Sequence, residues 1–226
     1  MSETFRIVFS NDNLWFMGKG LLMTIFLSVA VVFLSLILGA ILGILRNYVK
    51  GIGRISGMYI EIFRNTPLLL WMFACIFLIP SKLVPSATLR GALALFLYTS
   101  AVIAEIVRGG LNSIPQGQFE AAKSQGFNFV QTLWYIIMPQ CLHHIIPSLL
   151  SQIITTIKDT SFLAGFGILE FFRTGQIIMG QNLTGVTKTA QTFLIFGILA
   201  LIYFVICFSL SCVVRDWKKR NVDVTR

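Results

Sequence analysis

Hydrophobic residues fall into long continuous runs along this chain, instead of the alternating or one-faced patterns that are typical of soluble proteins. A helix needs about 20 apolar residues to cross the hydrocarbon core of a bilayer. Five runs reach about that length and predict five transmembrane helices, at residues 21–45, 58–79, 89–107, 136–157 and 190–214. The pattern therefore predicts an all-α membrane protein.

Polar segments divide the chain further. We predict an N-terminal extracytoplasmic segment at residues 1–19, a membrane domain at residues 20–214 and a basic cytoplasmic tail at residues 215–226. A further apolar run at residues 162–172 is too short to cross a bilayer. Such a run is expected to be re-entrant, interfacial or buried in protein.

Composition and charge narrow the class of protein. Of the 226 residues, 56% are hydrophobic and 12% are charged, whereas soluble domains have about 25% charged residues. The net charge of +9 lies partly in the tail, and no basic groove with interleaved aromatic residues for nucleic acid is present. Basic clusters at residues 46–54 and in the tail predict a cytoplasmic C-terminus. With five spans, the N-terminus is then expected outside the cell.

The longest polar stretch within the membrane domain, residues 113–139, carries two helix-start signals. Ser113, followed three residues later by a glutamine, predicts a capping box for a short helix. Gly126 is expected to end that helix in a left-handed conformation, which glycine adopts without steric cost. Asn128, followed three residues later by Gln131, predicts the start of a second helix.

A second pattern in this stretch resembles the EAA loop of ABC-importer permeases, in both residue type and spacing. Its members here are Glu120, Ala121, Ala122, Gly126 and Pro139. The methionine before the proline departs from the leucine of the family, which is a volume-conserving change. The resemblance implies a type I ABC importer permease fold, in which this loop is a cytoplasmic coupling helix that docks on an ATPase subunit. Phe119, directly before the motif, is expected to join that contact.

Two further segments resemble the polar amino-acid branch of this family. They are EIFRNTPLLLW in the second predicted span and YTSAVIAEIVRGG before the coupling loop. The resemblance implies a permease subunit of a bacterial cytoplasmic-membrane importer that translocates a polar amino acid. The later segments KDTS and EFFRTG favour glutamine, glutamate or aspartate, and arginine, histidine and cystine stay open.

The resemblance also implies a set of partners. We expect two copies of an ATP-binding subunit, a second permease subunit that is identical or paralogous, and an extracytoplasmic amino-acid-binding protein. This chain has no G-x-x-x-x-G-K-[ST] loop, so ATP and Mg are expected in the partner ATPase and no cofactor is expected here. Gly39 and Gly43, four residues apart, are expected to help the two permease subunits pack closely.

Two alternatives stay open on the sequence alone. A stand-alone channel or ion-coupled amino-acid carrier has the same apolar pattern but transports without an ATPase. An intramembrane enzyme needs a catalytic constellation, and the adjacent His143 and His144 point about 100° apart on a helix. We predict no catalytic residue and no metal site.

Three Glu–Arg pairs with a three-residue spacing lie in or beside the apolar runs. They are Glu61 and Arg64, Glu105 and Arg108, and Glu170 and Arg173. Residues three apart share a helix face and can pair. For the first pair two interpretations stand, which are lining of the substrate path and anchoring at the cytoplasmic interface.

Lys158, Asp159, Thr160 and Ser161 follow the fourth predicted span. Charges near a membrane span are rare and usually face protein or a water-filled path. Because an amino acid carries an ammonium and a carboxylate, we expect these residues to line the substrate path. Asp159 is then expected to face the ammonium and Lys158 to balance the carboxylate. The alternative is structural, with both charges pairing with the Glu–Arg pair at the end of the short apolar run.

Overall fold

The computed structural model describes Arg6, residues 8–180 and residues 186–222, and every regular element in that part of the chain is a helix. This confirms the predicted all-α class. Residues 1–5 and 7 of the predicted N-terminal segment and residues 223–226 of the tail lie outside the described residues. Three of the described helices are long and apolar enough to cross a bilayer alone, and the number reaches five if each of two bent pairs is one span.

The α-helices of the described residues are numbered in chain order. They are α1 (Asn11–Tyr48), α2 (Lys50–Arg64), α3 (Leu68–Phe73), α4 (Ala87–Asn112), α5 (Gln116–Ser124), α6 (Phe129–Gln131), α7 (Met138–Asp159), α8 (Phe171–Met179) and α9 (Val186–Val222). π-Helical turns extend α3 through Ala74–Leu78 and join α6 to α7 through Thr132–Ile137. A 3₁₀ segment, Thr160–Phe166, follows α7, so the chain is helical without a break from α6 to the end of that segment.

One side of α1 carries large apolar residues that are exposed at three- and four-residue intervals. The stripe includes Leu22, Phe26, Val29 and Phe33. In a chain with several spans this is the face for lipid acyl chains. The opposite side of α1 packs along α4, and small or polar residues such as Ser35 and Gly39 are buried there.

Two glycines set how closely α1 and α4 approach. A Cβ atom on Gly39 would lie 2.7 Å from Ile103, and one on Gly43 would lie 2.6 Å from the carbonyl oxygen of Ala104. Any larger residue would therefore push the two helices apart. Because both glycines face α4 of the same chain, the prediction that they help two permease subunits pack together is wrong.

The second predicted span is not one straight helix. α2 meets α3 and its π-helical extension at an angle of 102°. Pro67 causes the break, since it has no backbone N–H and disfavours a helical conformation at the residue before it. The indole N–H of Trp71 donates to the hydroxyl of Thr66 at 2.7 Å across the corner. The prediction of a single helix at residues 58–79 is therefore wrong in shape, although the bent pair still counts as one candidate span.

Apolar side chains are buried in three clusters. One joins α1, α3 and α4 to the 3₁₀ segment, a second joins α4 to α7, and a third joins α1 to α8 and α9. Leu163 and Phe171, from the short apolar run at residues 162–172, are fully buried in the first and third clusters. Phe162 and Leu169 of the same run are 45% and 52% exposed, so the run is buried in protein along one side only.

Candidate functional site

The predicted coupling helix, α5, is attached to the rest of the chain by one of its faces. Ala122 is buried and Phe119 is half-buried, with its ring 6.3 Å from the ring of Tyr48 at the end of α1. Glu120 and Ala121 are exposed. A short helix that packs against its own chain on one side and is exposed on the other presents a surface that another protein can contact.

Gly126 ends this helix as the sequence predicts. Its φ is +82°, and its N–H donates to the carbonyl of Lys123 at 3.0 Å. The next N–H, of Phe127, donates to the carbonyl of Ala122 at 3.1 Å, which completes a Schellman motif. Nothing lies within 4 Å of a Cβ built on Gly126, so the backbone conformation alone is what requires glycine.

The second predicted cap is also confirmed. The side chain of Asn128 accepts a hydrogen bond from the N–H of Gln131 at 2.9 Å, and the side chain of Gln131 accepts one from the N–H of Asn128 at 3.0 Å. This capping box begins α6 two residues after the end of the Schellman turn. Pro139 is the second residue of α7 and follows directly after the π-helical turn Thr132–Ile137, where its missing N–H is accommodated without a break in the helix.

The predicted capping box at Ser113 is wrong. Ser113 is the C-cap residue of α4 and has helical backbone dihedrals. Its hydroxyl donates to the carbonyl of Gly110 at 2.7 Å and lies 2.9 Å from Nδ1 of His144. Pro115 takes the N-cap position of α5, without a side-chain cap. Ile114, between Ser113 and Pro115, is buried. The hydroxyl of Ser113 therefore bonds the last turn of α4 and does not cap α5.

Glu61 and Arg64, predicted to pair with each other, belong instead to a cluster around Glu105. Glu105 is contacted by Arg108 at 2.6 Å, by Arg46 at 3.3 Å and by Arg64 at 3.5 Å. Arg46 also contacts Glu61 at 2.7 Å. This cluster, which we call the arginine cluster, joins α1, α2 and α4 on the side of the coupling helix.

Four of the predicted path residues lie at the end of α7 opposite the predicted coupling helix, and they are Lys158, Asp159, Thr160 and Ser161. α7 has 22 residues and is thus about 33 Å long. Lys158 and Ser161 line a groove of about 270 Å³, whose walls include Phe172, Phe196 and Tyr203. The structure therefore brings Lys158 and Ser161 together and separates them from Glu61 and Arg64.

The two other predicted path residues differ in accessibility. Asp159 is half-buried, whereas Thr160 is fully buried and donates its hydroxyl to the carbonyl of Ile157 at 2.7 Å. The structural alternative required ion pairs from Lys158 or Asp159 to the Glu–Arg pair of the short apolar run. No such ion pair occurs within the described part of the chain.

A polar stripe on α7 connects the two ends of the molecule. His144, Ser148, Ser151, Thr155 and Lys158 recur at intervals of four and three residues, so they share one helix face. Each is exposed or half-buried. The hydroxyls of Ser151 and Thr155 donate to backbone carbonyls of α7 at 2.9 and 3.2 Å, so the charged Lys158 is the member of the stripe that hydrocarbon would disfavour most. The spacing is visible in the sequence, and only part of the stripe was identified there.

Glu170, whose spacing predicts a pair with Arg173, instead forms a buried hydrogen-bonded site that the sequence does not predict. It is fully buried, and its carboxylate accepts hydrogen bonds from the N–H groups of Phe172 at 2.9 Å and Arg173 at 2.6 Å. The hydroxyls of Thr24 and Tyr203 also donate to it, at 3.4 and 3.3 Å. Glutamate is not among the common N-cap residues, and Thr24 is 146 residues away, so no local signal identifies this site.

Comparison with known proteins agrees with this geometry. The model of a family described as binding-protein-dependent transport system inner membrane component matches residues 35–220. The chain is 37% identical over 215 residues to the probable glutamine ABC transporter permease protein GlnP of Bacillus subtilis, covering 94% of this chain and 97% of that one. It is 33% identical over 206 residues to the L-cystine transport system permease protein TcyB of Bacillus subtilis, covering 87% and 84%.

Solved structures give the same result. The crystal structure of an amino acid ABC transporter with histidines superposes with a TM-score of 0.79 at 28% identity, covering 91% of this chain and 94% of that one. An inward-facing structure of the MetNI methionine ABC transporter superposes with a TM-score of 0.74 at 17% identity, covering 92% and 99%, which shows the shared fold. The predicted type I permease fold is confirmed.

Proposed function

Because this chain belongs to the family of binding-protein-dependent transport system inner membrane components, we propose that it translocates glutamine or a related polar amino acid, glutamate and aspartate included. It is an amino-acid ABC permease of the cytoplasmic membrane, and its family works with an ATPase and a binding protein. The name of GlnP supports glutamine, and the name of TcyB makes cystine the second candidate. Competition of labelled glutamine uptake by each unlabelled amino acid separates the candidates.

The single observation that supports the coupling function is that α5 packs against the membrane domain through one face and exposes the opposite face. In the proposed complex, Glu120 and Ala121 contact the ATPase directly, Phe119 and Ala122 hold the helix against the membrane domain, and Gly126 sets its end. Two permease subunits, identical or paralogous, pair with two ATPase subunits. The coupling helix then lies in the cytoplasm, which places the C-terminus inside and the N-terminus outside.

Gly126→Asp tests the coupling proposal. A side chain at φ +82° strains the turn, so the exposed face shifts and both ATPase copurification and uptake are expected to be lost. Gln125→Asp is the matched control, because it adds the same charge at a neighbouring exposed position with negative φ. Normal uptake by Gly126→Asp would refute the proposal. Uptake by the purified chain without any ATPase would favour the stand-alone carrier.

For the substrate path, the support is the polar stripe of α7 together with the groove at Lys158 and Ser161. In this proposal Asp159 attracts the ammonium of the amino acid and Lys158 its carboxylate. The hydroxyl of Thr160 is already bonded to the backbone, so Thr160 shapes the path without contacting substrate. Glu61 and Arg64 line the cytoplasmic part of the path through the arginine cluster.

Asp159→Asn tests the path proposal. The assembled complex is expected to keep its thermal stability and its ATP hydrolysis stimulated by the loaded binding protein, while uptake falls or specificity changes. The isosteric amide keeps the shape and removes the charge that attracts an ammonium. Unchanged uptake with unchanged specificity, or loss of assembly, would contradict a role for Asp159 in the path.

A further inference from the structure

A groove of about 700 Å³ lies between the end of α1 and the first half of α2. Tyr48, which lines it, also contacts the ring of Phe119 in the coupling helix, so the groove is on that side of the membrane. Three basic residues line the groove. They are Arg46, Lys50 and Arg54.

Two of the three basic groups have no anionic partner. Arg46 is bonded to Glu61, the carboxylate that lines the groove, and to Glu105. Lys50 and Arg54 are exposed, and neither head group takes part in an ion pair in the described ranges of the chain. They lie four residues apart on one helix face, where like charges repel. An anion between them would relieve that repulsion.

The adjacent face of α2 is apolar and exposed. Its residues recur at three- and four-residue intervals, and each is 48–70% exposed. They are Ile52, Ile55, Met58 and Ile62. A basic face beside an apolar stripe is the arrangement of helices that lie at a membrane interface. A free phosphate or an acidic peptide would use the basic face alone, whereas a lipid uses both.

The start of α2 adds to the attraction of this groove for anions. Val49 occupies its N-cap position and provides no side-chain hydrogen bond to the first turn, so the first N–H groups of α2 have no side-chain cap. Helix N-termini attract phosphate through such groups and through the helix dipole. We propose that the groove binds the headgroup of an anionic phospholipid, with Lys50 and Arg54 at its phosphate and the stripe of Ile55 and Met58 along its acyl chains.

The test is lipid retention by the complete transporter, purified with its ATPase and measured by native mass spectrometry in detergent containing phosphatidylglycerol or phosphatidylcholine. The wild type is expected to retain phosphatidylglycerol preferentially. The double variant Lys50→Gln, Arg54→Gln is expected to bind it roughly 30-fold more weakly, since each basic residue near a membrane surface contributes about fivefold in affinity. Lys82→Gln, an exposed basic position in the loop before α4, is the matched control and should bind as the wild type does.

Four results would overturn the proposal. They are equal retention of the two lipids by the wild type, unchanged retention by the double variant, an equal loss in Lys82→Gln, and loss of the ATPase from a double variant that still retains phosphatidylglycerol. The last result would make the groove a docking surface for protein. If the double variant does not assemble, Lys50→Gln and Arg54→Gln are measured singly. Each is then expected to weaken retention about fivefold, and two unchanged single variants would equally overturn the proposal.

Discussion

Two regions of the molecule contain the same short sequence pattern, a glutamate followed three residues later by an arginine, and use it in opposite ways. In the arginine cluster, Glu105 bonds Arg108 through both of its carboxylate oxygens, at 2.6 and 3.0 Å. In the buried site, Glu170 receives the backbone N–H of Arg173 instead of its guanidinium. The arginine side chain donates to Gln176 at 3.1 Å.

The difference follows from where each pair stands on its helix. Glu105 lies inside α4, where backbone N–H groups are already bonded, so its carboxylate must find side-chain cations. Glu170 precedes α8, whose first N–H groups have no partner within the helix and supply the positive end of its dipole. In this protein, cations therefore stabilise the accessible carboxylate of Glu105, and uncharged donors stabilise the fully buried carboxylate of Glu170.

Glu170→Ala should have the largest effect, because it leaves two N–H groups of α8 and the hydroxyls of Thr24 and Tyr203 without their shared acceptor. Each buried donor left unsatisfied costs about 1–3 kcal/mol, so a loss of roughly 4 kcal/mol in unfolding free energy is expected. Thermal unfolding of the purified complex would show it as a fall in Tm of about 10 °C. Glu170→Gln keeps an acceptor oxygen, so its Tm should fall less than that of the alanine variant. An alanine variant that melts with the wild type would contradict this account of the site.

Glu105→Gln should have an intermediate effect that depends on salt. It leaves three guanidinium groups without their shared carboxylate, at a cost of about 2 kcal/mol, between the values for exposed and buried ion pairs. Salt screens accessible charges, so the gap in Tm between variant and wild type should narrow from low to high ionic strength. The corresponding gap for Glu170→Ala should stay constant. Equal salt responses in the two regions would remove the distinction drawn between them.

Within the cluster, Arg46→Gln should destabilise more than Arg64→Gln. Arg46 contacts two carboxylates, at 2.7 and 3.3 Å, and its side chain is 22% exposed. Arg64 contacts one carboxylate at 3.5 Å and is 42% exposed. We expect a loss in unfolding free energy of about 1 kcal/mol for Arg46→Gln and of less than about 0.5 kcal/mol for Arg64→Gln, measured by the same thermal unfolding. The reverse order would mean that Arg64 and not Arg46 holds α2 against α4.

Arg173→Gln should have the smallest effect. Glu170 uses the backbone N–H of position 173, which every residue except proline provides, so the buried carboxylate keeps its bonds. A change in unfolding free energy below about 0.5 kcal/mol is expected. Should this substitution cost as much as Glu170→Ala, the guanidinium must contribute to the buried site after all.

The sequence predicted the features that depend on neighbouring residues. The apolar runs locate the helices, and Gly126 and Asn128 fix their turns through backbone conformations and hydrogen bonds that span only a few residues. Ser113 shows how a local signal can mislead. Its hydroxyl can cap the helix that follows or bond the last turn of the helix before, and the packing of α4 against α7 decides between the two.

Features that depend on tertiary contacts were not accessible from the sequence. Glu61 shares a helix face with Arg64, yet its partner is Arg46, which lies 15 residues earlier on another helix. Gly39 and Gly43 were correctly identified as positions of close approach, but the sequence does not say which helix approaches. The 102° bend at Pro67 separates two helices whose combined apolar content resembles one span.

The two caps that flank Gly126 have a mechanical consequence. The Schellman turn closes at Phe127 and the capping box opens at Asn128, so every residue between α5 and α6 is constrained by a hydrogen-bonded motif. We therefore expect the turn between α5 and α6 to be rigid and not to act as a hinge. From it a continuous helical rod extends from residue 129 to residue 166, about 55 Å by the rise of a helix. We expect a displacement at the predicted coupling helix to move the start of this stretch instead of being absorbed at the turn, and Pro147, inside α7, is a position where the stretch can bend before it reaches Lys158.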